Sequence, residues 1–255
     1  PNGARRDLGA YGNTEQATAS PDPLIQVLGP NGLEKYEVGQ SYQIDWRSAG
    51  LAAYDPVLLI NANGGAVDNW QANAYQSLNY SQGTIADSQA ISLAGVADAA
   101  PESVYRSYEF ANAGASAANN KIAWSLPVLD GDYTVRLHFA DPSNIGVGQR
   151  QFDIALNGAV VADNFDIRAQ AGATYKAVVA QYNVSASGGA GVLLELISQT
   201  NTYGAVISGI EILRANAGGV ATPTADLEVS LDGGANWSPI ASGLAMDRFG
   251  HGSYD

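Results

Sequence analysis

The stretch from Asp130 to Gly158, DGDYTVRLHFADPSNIGVGQRQFDIALNG, constrains the fold more than any other part of the chain. Tyr133, Val135, Leu137 and Phe139 alternate with Thr134, Arg136, His138 and Ala140, the period of a strand with one buried face. A second strand is expected at Phe152, Ile154 and Leu156, closed by the type I′ turn signal Asn157-Gly158. Asp141 to Gly148, between them, is too long and too rich in Pro, Asn, Ser and Gly for a two-residue turn. The stretch reads as a long β-hairpin whose loop presents side chains at the end of a sheet.

Strand text continues on both sides. PVLLINANGG (56–65), VYRSYEFA (104–111), KIAWSLPVL (121–129), VVADNFDI (160–167), KAVVAQYNVSA (176–186), VLLELISQ (192–199) and AVISGIEIL (205–213) follow one another at short intervals punctuated by Gly, Asn and Pro. This is the pattern of an antiparallel sandwich, with at most a helical turn between Thr84 and Ala100. Tyr133, Trp124 and Trp46 sit in strand alternation and are expected in the core.

Outside this region the chain divides unusually. Ile25 and Val27, then Tyr42, Ile44 and Trp46, give short strands, and Leu227, Val229 and Leu231 give another before Asp232-Gly233-Gly234. The words PNGLE (30–34) and DGGANW (232–237) resemble two parts of one immunoglobulin-like module of bacterial secreted proteins, yet about 200 residues separate them here. The expected arrangement is a split immunoglobulin-like domain, 24–53 and 216–255, into which residues 54–215 are inserted. Insertion is tolerated where the guest's ends lie close together. Residues 1–23 read as an N-terminal linker; within 1–20, DLGAYGNTEQA resembles the C-terminal end of a right-handed parallel β-helix.

Composition excludes several functions. Twelve Lys and Arg against 25 Asp and Glu give a net charge of −13 with no basic cluster, which argues against nucleic acid or an anionic membrane as partner. There is no Cys, so disulfides, thiolate nucleophiles and thiolate metal sites are all excluded. No apolar run approaches the roughly 18 residues of a membrane span. The abundance of Ala and Gly suits a secreted bacterial β-protein.

Together, INANGG, VYRSYEFA, YTVRLHFAD, GQRQFDIALNG, NFDI and ISGIEI resemble malectin and malectin-like carbohydrate-binding modules, in the family's order and over about 160 residues. The resemblance implies a jelly-roll β-sandwich that binds oligosaccharide through loops at one end and has no catalysis of its own. The fold class is therefore read as all-β, a malectin-like jelly roll inserted into an immunoglobulin-like sandwich.

A sugar presents an apolar C–H face and an edge of hydroxyls, so its binder needs aromatic faces rimmed by Asp, Asn or Gln. Tyr75, Tyr80, Tyr105, Tyr108 and Tyr203 fall in loop text and are the candidates, among 13 Tyr in all. The resemblance adds Phe110, at the later aromatic of the family's tyrosine motif, and Asp141, at the acid ending its LHFAE strand. It places Asn201 to Tyr203 where the family carries an acidic residue, so Asn201 stands in as an amide. Val67-Asp68-Asn69-Trp70 replaces a longer first loop.

Catalysis is not expected. A glycosidase needs two carboxylates roughly 5–9.5 Å apart across a cleft. Asp141, Asp153, Asp166, Glu195 and Glu211 are available, but Asp153, Glu195 and Glu211 alternate with apolar positions as solvated residues. The two His, His138 and His251, have no G-x-S-x-G nucleophile beside them and no paired spacing for a metal. An acidic sandwich can hold structural calcium on loop oxygens, but no segment reads as a calcium loop and none is assigned. The expectation is a glycan-binding module of a large bacterial extracellular or cell-surface protein, with upstream domains or neighbouring surface subunits as further partners. The alternative is a structural spacer or adhesion module making protein contacts without sugar.

Overall fold

The computed structural model describes residues 23–30, 34–79, 81–114 and 116–255. The β-helix resemblance, the turn of PNGLE and Tyr80 lie outside the described residues. The chain forms two compact units, one of residues up to Asp55 together with Asn216–Asp255, the other Pro56–Ala215. In chain order the first contributes β1 (Leu24–Gly29) and β2 (Ile44–Ala49). There follow β3 (Tyr54–Asn61), β4 (Gln71–Ala72), β5 (Gln76–Leu78), β6 (Ser81–Thr84), α1 (Glu102–Tyr105), β7 (Ser107–Phe110), β8 (Lys121–Leu126) and β9 (Gly131–Ala140). β10 (Phe152–Leu156), β11 (Ala159–Phe165), α2 (Ile167–Ala171), β12 (Ala177–Ala186), β13 (Val192–Ser198), β14 (Val206–Ile207) and β15 (Gly209–Ala215) complete the larger unit. The chain then returns to the smaller unit with β16 (Thr224–Val229), β17 (Ser238–Ala245) and β18 (His251–Tyr254).

The larger unit has two five-stranded sheets, β11-β10-β13-β8-β5 and β12-β9-β15-β3-β4, that share one core, and a small sheet β14-β7-β6. The expected hairpin does not form. β9 pairs with β12 and β15, β10 with β11 and β13, so residues 141–151 cross between layers rather than turn within one. The crossing brings Phe139 of β9 and Phe152 of β10 together in the core, ring centroids 5.8 Å apart, with Phe165 packed on both. Such aromatic pairs add about 1 kcal/mol each beyond the area they bury. The hairpin signal at Asn157-Gly158 does produce a turn: φ is 50° and 80°, the left-handed pair a type I′ turn requires, and Leu156 faces Ala159.

No helix forms between Thr84 and Ala100; that segment holds too short an apolar stripe to outlast the cost of helix nucleation. The helices are single turns elsewhere. α1 follows Pro101, and α2 is capped by Asp166, whose Oδ1 accepts from Ala169 N–H at 2.9 Å.

β9 is buried on both faces from Tyr133 to Ala140. Val135, Leu137 and Phe139 face the sandwich core. On the other face Arg136 donates to the carbonyls of Ala97 and Asp98, and His138 packs against Trp70 and Tyr105. The irregular stretch before α1 therefore covers a face that the alternation alone assigns to solvent. Glu211 on β15, opposite Arg136, is likewise buried and not solvated; its Oε2 accepts from Arg136 at 3.0 Å.

In the smaller unit β2 lies between β1 and β18, with β16 and β17 as a separate ladder. Trp46 is buried against Ala225 and Met246, and its indole lies on Gly252, its partner across β18, where a Cβ would strike the ring. Asn216 N–H donates to Ala53 O at 3.0 Å and Ala53 N–H to Val220 O at 2.9 Å, which holds the outgoing and returning chain side by side. In the DGGANW turn Asp232 accepts from Asn236 and Ser230, and these hydrogen bonds hold its carboxyl down at about 2.

Candidate functional site

β6 and β7 pair antiparallel with Gly83 opposite Tyr108 and Ser81 opposite Phe110. Alternation buries Ser107 and Glu109 and leaves Tyr108 and Phe110 half-buried on the other face. A Cβ at residue 83 would strike the hydroxyl end of the Tyr108 ring, so that end of the ring lies against the β6 backbone. The Phe110 ring stands 6.0 Å away at 43°. Phe110 pairs in turn with Val206 of β14, and just before β14 comes Tyr203. Tyr108, Phe110 and Tyr203, with Asn112, Ser143 and Thr202, line a cleft of about 360 Å³.

Arg150 forms the deep wall of that cleft and is 4% exposed. Its guanidinium lies 5.3 Å from the Tyr203 ring centroid. Nε donates to Asp141 Oδ2 at 2.9 Å, Nη2 to Asp141 Oδ1 at 3.3 Å and Ser143 Oγ at 3.1 Å, and Nη1 to Gly204 O at 2.7 Å. One side chain thus ties together the residue that follows β9, the loop after it and the segment before β14. Gly204 is obligatory, because a Cβ there would strike the Ala111 carbonyl oxygen. Burial pushes the Tyr108 hydroxyl's pKa up, opposed by Arg150 and reinforced by Asp141, so the phenol keeps its proton as a donor.

The back of β7 is held by a polar cluster. Glu109 is fully buried, and its Oε1 accepts from Asn73 Nδ2 at 2.9 Å and Gln82 Nε2 at 2.8 Å; Asn73 in turn accepts from Trp124 Nε1. Among the described residues Oε2 meets no donor at hydrogen-bond geometry, and burial raises the carboxyl's pKa, opposed by the amides of Gln82 and Gln76.

Of the residues expected at a sugar rim, Tyr108, Phe110 and Tyr203 come together in the cleft, and Asp141, 1% exposed, lies behind it engaged by Arg150. Tyr108 is a strand residue, not a loop residue, and Phe110 ends the same strand. Tyr75, 45% exposed, and the exposed Asn201 lie outside the cleft lining. Tyr105 belongs to α1 and is fully buried: its hydroxyl contacts His138 Nδ1 at 2.8 Å and accepts from Ala100 N–H at 3.3 Å. Arg150 and Gly83 were not expected in the site. The one available signal for Arg150 was an arginine inside GQRQFDI in an acidic chain.

Tyr105, His138, Glu211 and Arg136 form one buried chain, with His138 Nε2 3.2 Å from Glu211 Oε1. The order of hydroxyl, imidazole and carboxylate is that of a nucleophile and its base. Tyr105, His138 and Glu211 are each 0% exposed, so no substrate reaches them and the chain acts as a structural tie. Among the described residues no group of three His, Cys, Asp or Glu is placed to hold a metal ion.

Residues 57–210 match the malectin domain family. The chain belongs to the malectin family. The malectin domain is a carbohydrate-binding module type with a non-catalytic fold, and the all-β sandwich expected from sequence is the one observed. A probable receptor-like protein kinase of Arabidopsis thaliana is 34% identical over 103 residues, 38% of this chain and 12% of that protein. The ANXUR1 extracellular domain from Arabidopsis thaliana has a TM-score of 0.55 at 18% identity, covering 64% of this chain and 49% of that one. A chain in the structure of the plant peptide RALF23 in complex with FER and LLG2 has a TM-score of 0.56 at 20% identity, covering 70% and 51%. This malectin chain thus spans about half the length of those structures, and its likeness to them is one of fold. The relatives are plant proteins and lend no support to the bacterial source expected from composition.

Proposed function

We propose that residues 56–215 bind carbohydrate without catalysis, as a module of a larger extracellular or cell-surface protein. A sugar ring lies against Tyr108, Phe110 and Tyr203, and its hydroxyls meet Asn112, Ser143 and Thr202. The observation that supports this reading is the convergence of three aromatic side chains, two from β7 and one from the loop before β14, on one cleft with a polar rim. Asp141 serves the site through Arg150 rather than by touching sugar. A glycan-array screen of the full chain tests the proposal. Tyr108→Ala and Tyr203→Ala are each expected to weaken binding by about tenfold, the worth of one stacked aromatic ring. A folded chain that binds no glycan, or binds equally with both rings removed, overturns it.

The alternative, a spacer or adhesion module making protein contacts, is favoured by one observation. Among the described residues no carboxylate lines the cleft, and Asp141 behind it is engaged by Arg150. A chain of this fold also occurs in the complex named for the peptide RALF23.

We further propose that the smaller unit is an immunoglobulin-like domain split by the malectin insertion. The shared packing of Trp46 with Ala225 and Met246 supports this. Deleting residues 225–255 is expected to abolish amide protection in β2; retention of that protection would refute the split.

A further inference from the structure

A second groove, of about 370 Å³, lies on the face of β9 and β12 that points away from the sandwich core. Its floor is Val179, Gln181 and Arg136, with Arg136 directly opposite Gln181 across the ladder. One wall is residues 95–97; Gln170 of α2 and Lys176 also line it. The wall is strapped down at both ends. Ser92 exchanges backbone hydrogen bonds with Tyr175 and Ala177 at 2.8 and 2.9 Å, and Arg136 Nη2 holds the Ala97 and Asp98 carbonyls at 2.9 and 3.1 Å.

The two cations of this groove are not fully paired. Arg106, Lys121, Arg136 and Arg150 each meet a carboxylate. Lys176, half-buried, makes no hydrogen bond or ion pair with any described residue. Among the described residues no Asp or Glu lines the groove; Glu211 is buried behind Arg136, and Asp98 offers Arg136 its carbonyl rather than its carboxylate. Arg136, 6% exposed, commits three of its N–H groups to Glu211, Ala97 and Asp98, which leaves Nε–H and one Nη1 hydrogen uncommitted among the described residues. In a chain of net charge −13, a cavity lined by an uncompensated ammonium and a buried guanidinium with spare donors is a place for an anion. Among the described residues no aromatic ring lines it, so they offer no stacking face and the groove differs in kind from the tyrosine cleft.

We propose that this groove is a separate binding site for a small carboxylate-bearing ligand. Lys176 supplies the charge, Arg136 supplies N–H donors at the floor, and the amides of Gln170 and Gln181 meet the ligand's polar edge. The site does not depend on sugar binding at the tyrosine cleft.

The test is amide chemical-shift mapping of the full chain with D-glucuronate, with glucose as its uncharged twin and succinate as an acid without a ring. Glucuronate is expected to shift residues around Ala97, Lys176 and Gln181 at millimolar concentration, more weakly in high salt, and glucose to leave them unmoved. Lys176→Gln, a half-buried change that orphans no buried partner, is expected to weaken the interaction roughly tenfold or more, as for loss of a charge-assisted hydrogen bond. Succinate shifting the same residues as strongly would place the recognition in the carboxylate alone; a weaker response would place part of it in the sugar ring. Tyr108→Ala is expected to leave the effect intact. Absence of shifts from both acids in a folded sample, shifts confined to the tyrosine cleft, or full affinity in Lys176→Gln would overturn the proposal.

Discussion

Replacing Asp141 by Asn is expected to destabilise the larger unit by about 3–5 kcal/mol, because it leaves the Arg150 guanidinium buried without its counter-charge. The geometry sets the magnitude. Asp141 is 1% and Arg150 4% exposed, so solvent cannot screen the loss. Asn is nearly isosteric and keeps one carbonyl oxygen, so what disappears is the charge and one arm of the two-pronged contact at 2.9 and 3.3 Å. Arg150→Met alone should cost a similar amount, since it orphans the Asp141 carboxylate and frees Gly204 O and Ser143 Oγ. The double variant Asp141→Asn, Arg150→Met leaves no buried charge. Its cost should fall to about 2–3 kcal/mol, the worth of the neutral hydrogen bonds given up. Urea unfolding at neutral pH, followed by fluorescence of the buried Trp70 and Trp124, measures all three and closes a double-mutant cycle. Singles that sum to the double, or an Asp141→Asn loss under about 1 kcal/mol, would refute the claim that this pair is a desolvated tie holding the cleft wall.

Tyr105→Phe should cost about 1–3 kcal/mol through the unpaired His138 Nδ1 and leave glycan affinity unchanged; a loss of affinity without a loss of stability would return Tyr105 to the binding face. Gly83→Ala should change stability by no more than about 1 kcal/mol, since β6 is extended there, but lift the Tyr108 ring and weaken sugar binding about fivefold on the same array. Glu109 holds its proton more tightly folded than unfolded. Its contribution is therefore fully present below the ordinary carboxyl value of 4.5 and is lost as pH rises through the raised folded value. Urea midpoints across pH should then show Glu109→Gln more stable than the parent at pH above that value and less pH-dependent; equal slopes would refute the assignment.

The all-β class and most strand positions are legible in the sequence because period-two alternation is a local signal, and Asn157-Gly158 is legible because its φ angles are demanded by the turn itself. The same alternation misleads where a polar residue is buried and paired. Arg136, His138 and Glu211 follow the pattern of a solvated face, yet they are covered by residues 95–105 and by Trp70, and what covers a face is not written in the strand. The hairpin reading failed for a related reason: alternation at 133–140 and 152–156 states that both strands face a core, and two strands of one hairpin or of two opposed sheets satisfy that equally.

The candidate cleft divides along the same line. Tyr108 and Tyr203 stand out because aromatic surface is the chemistry a sugar needs, and Phe110 through the family resemblance. The residues that give those rings their orientation do not, because their meaning lies in what they touch. Gly83 is glycine because the Tyr108 ring occupies its side-chain volume across the ladder, and Gly204 because the Ala111 carbonyl does. The family resemblance, through the acid that ends the LHFAE strand, makes Asp141 a ligand for hydroxyls. Once Arg150 is placed, the carboxylate there is 1% exposed with both oxygens engaged, Oδ1 accepting from Ser143 N–H and Arg150 Nη2 and Oδ2 from Arg150 Nε, so it is not presented to a sugar. A sugar in this cleft therefore relies on neutral donors and acceptors and on ring stacking. That argues for modest intrinsic affinity, and for selectivity set by the spacing of Tyr108, Phe110 and Tyr203 more than by charge.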